Sequence, residues 1–247
     1  MRNIRLTIEY DGKDFNGWQK QPKKLNIQGE IERAICDLTG EEEINLIASG
    51  RTDAGVHALG QVANFKTENE SIPIDKWALA LNTKLKRSVR VLKAEEVDER
   101  FHSRYTCKKK TYRFVINNNV CESAIYRNFE YHFPVKLNVE DMKKAVKYFE
   151  GEHDFKAFKA SGTSSKSSVR TIYSANVIEA ENGRIHIELT GNGFLYNMVR
   201  IIAGTLVDVG IGKISAEDIP EIIKSGDRMK AGKTLPPSGL FLIKVEY

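Results

Sequence analysis

Arg2-Asn3-Ile4-Arg5-Leu6-Thr7-Ile8-Glu9-Tyr10 alternates polar and apolar side chains, the pattern of a strand with one face on a core. Outward from it, residues 27 to 38 put Ile27, Ile31, Ala34, Ile35 and Leu38 on one helical face after the capping residue Asn26. Strands are expected near 44–48 and 60–66. Pro73 then opens a helix whose Ile74, Trp77, Ala78, Leu81 and Leu85 share a stripe, and Val89 to Val97 reads as a strand. The order is βαββαβ, a split βαβ unit of the ferredoxin type.

The rest repeats that order without visible sequence identity. A strand is expected at 111–117 and a helix at 139–150, with Asn138 as cap and Gly151 as stop. Strands at 170–180 and 184–190 meet at Asn182-Gly183, a hairpin signal. A very apolar helix at 196–209, a short one at 216–224 and a strand at 239–245 complete the set. The fold class is therefore α+β: two ferredoxin-like halves, residues 1–105 and 106–247, side by side in one extended sheet. Helices are expected on one face and a cleft on the other, a kind of surface on which RNA lies in RRM domains.

Composition narrows the function classes. The 247 residues are 41% hydrophobic and 29% charged, as in ordinary globular proteins. No apolar run reaches the roughly 20 residues of a membrane span and no leader precedes the first strand, so a cytoplasmic protein is expected. Cys36, Cys107 and Cys121 lack the paired spacing of zinc sites and are read as reduced packing residues. Net charge is +5, a mild excess. Its distribution says more: Arg100, Arg104, Lys108, Lys109, Lys110 and Arg113 interleave with Phe101, His102, Tyr105 and Tyr112, uninterrupted by any acid. Phosphates take such charge and splayed bases stack on such rings. A second basic stretch holds Lys224, Arg228, Lys230 and Lys233, and the small polar run Ser161–Ser168 reads as a mobile loop.

Chemistry concentrates in Gly50-Arg51-Thr52-Asp53-Ala54-Gly55-Val56-His57-Ala58, which sets an acid, a base and two glycines in one turn after a short apolar strand. Such a turn can hold Asp53 rigidly at a strand end; a polar surface turn in which Asp53 bonds its own backbone has the same composition. The apolar helix near 196–209 contains Arg200, whose nearest acid on that helix, Asp208, is roughly 12 Å along it at 1.5 Å per residue. Either Asp53 supplies the partner, or the guanidinium reaches back to the surface. His57 stands four residues after Asp53, but no third metal ligand is near, so no metal is expected. Nucleotide-binding, serine-hydrolase and zinc-protease motifs are absent from the sequence, Gly191-Asn192-Gly193 lacking the third glycine of a dinucleotide loop.

Taken together, these residues resemble the tRNA pseudouridine synthase A family over almost the whole chain. The similarity is carried by Tyr10-Asp11-Gly12, Phe15, Gly17–Gln21, Gly50–Ala58, Phe101–Arg104, Thr111–Arg113, Gly193–Arg200 and Pro237–Leu240. Cys107–Lys110 is more basic than the family pattern, and the serine-rich loop varies. The resemblance implies tRNA pseudouridine(38–40) synthase activity on the anticodon stem-loop, by base flipping and without metal or other cofactor, with Asp53 as the essential carboxylate. It also implies that Tyr112 stacks on the target base, Arg51 fills the space left by it, Arg200 pairs with the carboxylate and Leu240 lines the substrate pocket. RNA contacts are expected at His57, Arg104, Lys108, Lys109, Lys110, Lys166 and Arg170, and a homodimer is implied. Two other classes fit fewer residues: a non-catalytic RNA-binding module, and a metal-dependent phosphoesterase using Asp53 and His57.

Overall fold

The computed structural model describes residues 1–162 and 167–247 and is α+β. The chain groups into two compact units, Met1–Lys108 with Leu242–Tyr247, and Lys109–Phe241. The C-terminal strand, expected with the second half, is thus counted from Leu242 onward with the first.

In the first unit the elements run β1 (Arg2–Tyr10), α1 (Ile27–Thr39), β2 (Ile47–Ala48), β3 (His57–Thr67), α2 (Trp77–Lys84) and β4 (Val89–Val97). This is the βαββαβ order read from the sequence. The strands lie in the order β4-β1-β3, followed by β10 (Leu240–Glu246), with β2 pairing on β3. Ile4, Leu6 and Ile8 of β1 stand opposite Phe65, Ala63 and Gln61 of antiparallel β3. Because strand side chains alternate, this row forms the core face. Over it pack α1, with Ile27, Ile31, Ala34 and Ile35 buried, and α2, whose Trp77 meets Phe65 edge-on at 5.4 Å. Asn26 caps α1 by accepting from the Gly29 N–H at 2.8 Å. The helix expected from Pro73 begins instead as a 3-10 turn, Ile74–Lys76, and β2 is shorter than expected.

The other face of β1 carries a polar clasp. Asn3 donates to the carbonyls of Asp98 and Phe101, Asn64 donates to Asn3, and the Ser103 N–H donates to Asn64 Oδ1 at 2.8 Å. Arg5 lies over the rings of Phe101 and Tyr247, and Tyr247 donates to the Ser103 carbonyl. Residues 98–103 are thereby tied across the strands, and exposed Arg104 and Tyr105 follow from that anchored segment.

The second unit holds β5 (Lys109–Asn117), β6 (Tyr131–His132), α3 (Val139–Lys147), β7 (Gly151–Asp154), β8 (Val169–Ala180), β9 (Arg184–Gly191), α4 (Met198–Gly210) and α5 (Ile219–Ser225). Its strands run β5-β9-β8-β7, with β6 on β5. The hairpin signal was read correctly: Asn182 and Gly183 both take positive φ between β8 and β9. Every residue of α4 except Arg200 is buried. The helix expected at 139–150 stops at Lys147, because Phe149 turns into the core and Glu150 accepts from the Ala175 N–H of β8 at 2.9 Å. Cys121, expected as a packing residue, is exposed in the loop after β5. Of the serine-rich run, residues 163–166 lie outside the described residues. Among the described residues, no helix is long and apolar enough to cross a membrane.

Candidate active site

The turn bearing Asp53 is built from both sides. On its outer side the chain after β1 lies so close that two glycines are obligatory. A Cβ on Gly12 would collide with the Val56 carbonyl, and one on Gly17, at φ +82°, would stand 2.6 Å from the Thr52 carbonyl oxygen. The same segment donates from Trp18 N to the Thr52 carbonyl at 3.0 Å and accepts at the Phe15 carbonyl from Gly55 N. The α1 N-terminus anchors that segment in turn, Ile27 N and Gln28 N donating to the carbonyls of Gly17 and Trp18. The Tyr10-Asp11-Gly12 and Gly17-Trp18 motifs are therefore the clamp of the turn.

On its inner side the turn rests on buried polar side chains. Tyr10 Oη lies 2.8 Å from Thr52 Oγ1, and Gln61 is a second partner of the Tyr10 hydroxyl. Burial, the largest cause, pushes the Tyr10 hydroxyl pKa up despite both hydrogen bonds, so it stays protonated. Gln61 also donates to the Gly50 carbonyl at 3.0 Å and accepts from Ser49 Oγ at 2.7 Å. The Val56 N–H donates back to the Asp53 carbonyl at 3.1 Å. Between these anchors Asp53 is half-buried and Arg51 exposed.

His57 lies within the same clamp. It is 1% exposed, and its Nδ1 accepts from the Gly12 N–H at 3.0 Å. Asp11 Oδ1 is 3.1 Å from the same nitrogen. Both partners come from the Tyr10-Asp11-Gly12 segment, so His57 contributes to the scaffold of the turn.

In the second unit, Tyr112 on β5 is buried opposite Leu189, its ring meeting Phe194 edge-on at 5.1 Å. Arg200 on α4 donates from Nε to the Leu235 carbonyl and from Nη1 to Asn197 Oδ1, both at 2.6 Å. Asn197, left-handed at φ +61°, holds that oxygen at the helix start. These two acceptors, which the sequence reading did not foresee, aim the guanidinium without neutralising it; its expected partner Asp53 belongs to the first unit. Leu240 is buried after the 3-10 turn Pro237–Gly239.

The expected RNA contacts divide. Arg104, Lys108 and Lys109 are exposed, Arg104 over the Tyr105 ring and Lys109 over exposed Tyr173, giving cation and aromatic pairs at the surface. Lys110 is half-buried. Arg170 turns its guanidinium onto the carbonyls of Ser167 and Val169, and burial lowers its pKa. Lys166 lies outside the described residues. A cluster around a buried acid went unseen in the sequence: Glu130, 3% exposed, accepts from Arg184 and Asn117, with exposed Tyr126 under the Arg184 guanidinium. No spacing signal marks it, because its members come from three separate segments.

A model of the tRNA pseudouridine synthase family matches residues 6–106 and 145–247. The tRNA pseudouridine synthase A of Caldicellulosiruptor saccharolyticus is 54% identical over 247 residues, covering 100% of both chains. Those of Acetivibrio thermocellus and Thermoanaerobacter pseudethanolicus are 52% and 50% identical over the same full lengths. With the family match spanning the clamp, the Asp53 turn and the Arg200 helix, this chain belongs to the tRNA pseudouridine synthase family and is an isomerase of that kind.

Proposed function

We propose that the enzyme converts uridine to pseudouridine in the anticodon stem-loop of tRNA, in the cytoplasm and as a homodimer, with Asp53 as its essential carboxylate. The observation that carries the assignment of Asp53 is the clamped turn: a half-buried acid between backbone points fixed by Trp18, Phe15 and Thr52. A surface turn satisfying only its own backbone has no need of two glycines pressed against it.

The reaction breaks the bond from C1′ of ribose to N1 of uracil, turns the base, and joins C1′ to C5. The hydrogen on C5 leaves as a proton and N1 gains one, so atoms and electrons balance within the substrate. The base must first leave its stack, an extrusion that costs a few kcal/mol, about what a stacking side chain can return. In this reading Tyr112 stacks on the extruded base and assists loss of the C5 proton, Arg51 fills the space left behind, and Leu240 lines the pocket. Arg200, already oriented by Asn197 and Leu235, offers its guanidinium to the substrate. Arg104, Lys108, Lys109, Lys110 and Arg170 contact the RNA backbone.

Site-resolved mapping tests the substrate. Unmodified tRNA treated with the enzyme should acquire pseudouridine in the anticodon stem-loop. Pseudouridine formed only elsewhere, or none, would overturn this reading.

A further inference from the structure

We infer that Tyr10 and Gln61 are positioning residues for Asp53: a buried hydrogen-bond chain from Ser49 through Gln61 and Tyr10 to Thr52 sets the backbone from which the carboxylate projects. The inference rests on the assignment of Asp53 as the essential carboxylate.

Direction in the chain follows from its donors. Gln61 Oε1 takes hydrogen bonds from Ser49 Oγ at 2.7 Å and from the Val62 N–H at 3.1 Å. The N–H is a donor only, so it settles which end of the amide is oxygen. Nε2 is then turned to the Gly50 carbonyl at 3.0 Å, and Gln61 is also a partner of the Tyr10 side chain. Tyr10 Oη and Thr52 Oγ1 lie 2.8 Å apart, and either hydroxyl can donate to the other. All four residues are buried: Ser49 and Gln61 at 0%, Tyr10 at 2% and Thr52 at 6% exposed.

Burial makes this chain hard to explain as stabilisation. Gln61 stands opposite Ile8 on the core face, where an apolar side chain would have no polar group to satisfy. Each buried hydrogen bond contributes only about 1 kcal/mol net. What a fully satisfied network does supply is a single geometry. Thr52, immediately before Asp53, is gripped at its hydroxyl by Tyr10 and at its carbonyl by Trp18 N. Gly50 is gripped by Gln61. The carboxylate therefore springs from a backbone whose inner and outer sides are both pinned, and a misplacement of about 1 Å at a reacting group can cost on the order of a hundredfold in rate.

The experiment compares steady-state tritium release from C5-labelled uridine in tRNA for Tyr10→Phe, Thr52→Val and Thr52→Ser, with Asp53→Asn as reference. Tyr10→Phe and Thr52→Val are expected to lower kcat by about tenfold or more, with KM and tRNA affinity within about twofold of the parent. Thr52→Ser, which keeps the hydroxyl, should restore most of the rate. The Tyr10→Phe/Thr52→Val double variant should lose no more than either single one, since both remove the same bond. Ile31→Val, a truncation in α1 of the same core, should lower Tm without changing kcat.

Parental kcat in Tyr10→Phe, no recovery in Thr52→Ser, or an equal kcat loss in Ile31→Val would each overturn the inference. Should Tyr10→Phe fail to fold, the Thr52→Val and Thr52→Ser pair decides. Turnover surviving in Asp53→Asn would instead remove the assignment of Asp53 itself, so the two failures are told apart.

Discussion

At the scale of single residues, the clamp on the Asp53 turn depends on atoms that are missing. Gly12 has no Cβ where the Val56 carbonyl lies, and α1 holds its segment from behind, so neither strand of backbone can retreat cheaply. Gly12→Ala is expected to destabilise the fold by about 1–3 kcal/mol in a urea melt, the usual cost of overpacking. Its turnover should fall further than that loss explains; unchanged stability and turnover together would show that the close approach is not required. The sequence made the turn bearing Asp53 legible because acid, glycines and strand end are adjacent in the chain. The partners of His57 were not legible, because its burial at 1% and the bond from Gly12 N are set by a segment 45 residues earlier. Gln61 carried no signal at all, since a lone glutamine in an apolar strand looks like an ordinary solvent-facing position.

Among the elements, legibility followed length and periodicity. The strands β1, β4, β5, β8 and β9 and the helices α1 and α4 each have seven or more residues of regular pattern, and their places agree with the reading of the sequence. The strands β6 and β7, of two and four residues, are too short to show a period of two and were missed. Strand β9 also carries a titration. Burial, and then the Arg113 guanidinium, hold His186 below the ordinary histidine pKa of 6.5. A depressed pKa means that the unfolded chain binds the proton more readily, so this contribution to stability is present above about pH 6.5 and lost as pH falls through the folded value. Thermal melts from pH 8 to 5 should therefore show His186→Gln losing less Tm on acidification than the parent. Parallel pH profiles would contradict this.

For the whole molecule, net charge and charge placement argue about partners rather than fold. An excess of +5 over 247 residues is small, so under the proposed function RNA affinity is expected to depend on where the cations sit: Arg104, Lys108 and Lys109 are exposed, beside Tyr105 and Tyr173. Binding of unmodified tRNA should weaken steeply with salt, log Kd rising linearly with log salt concentration; each single-stranded phosphate neutralised adds about 0.7 to the slope. Affinity unchanged from 50 to 200 mM salt, on the order of the range where such contacts are felt, would remove the electrostatic account. The α+β class and the βαββαβ order of the first unit were visible in the sequence, but the membership of the last strand from Leu242 onward was not. Chain order assigns that strand to the second half, while its partners are chosen by packing that no local pattern encodes. The central claim remains that one clamped carboxylate performs the isomerisation, and its most direct test is tritium release from C5-labelled tRNA by the Asp53→Asn protein. The expected result is turnover reduced at least about a hundredfold with tRNA affinity retained; release at the parental rate would contradict the account.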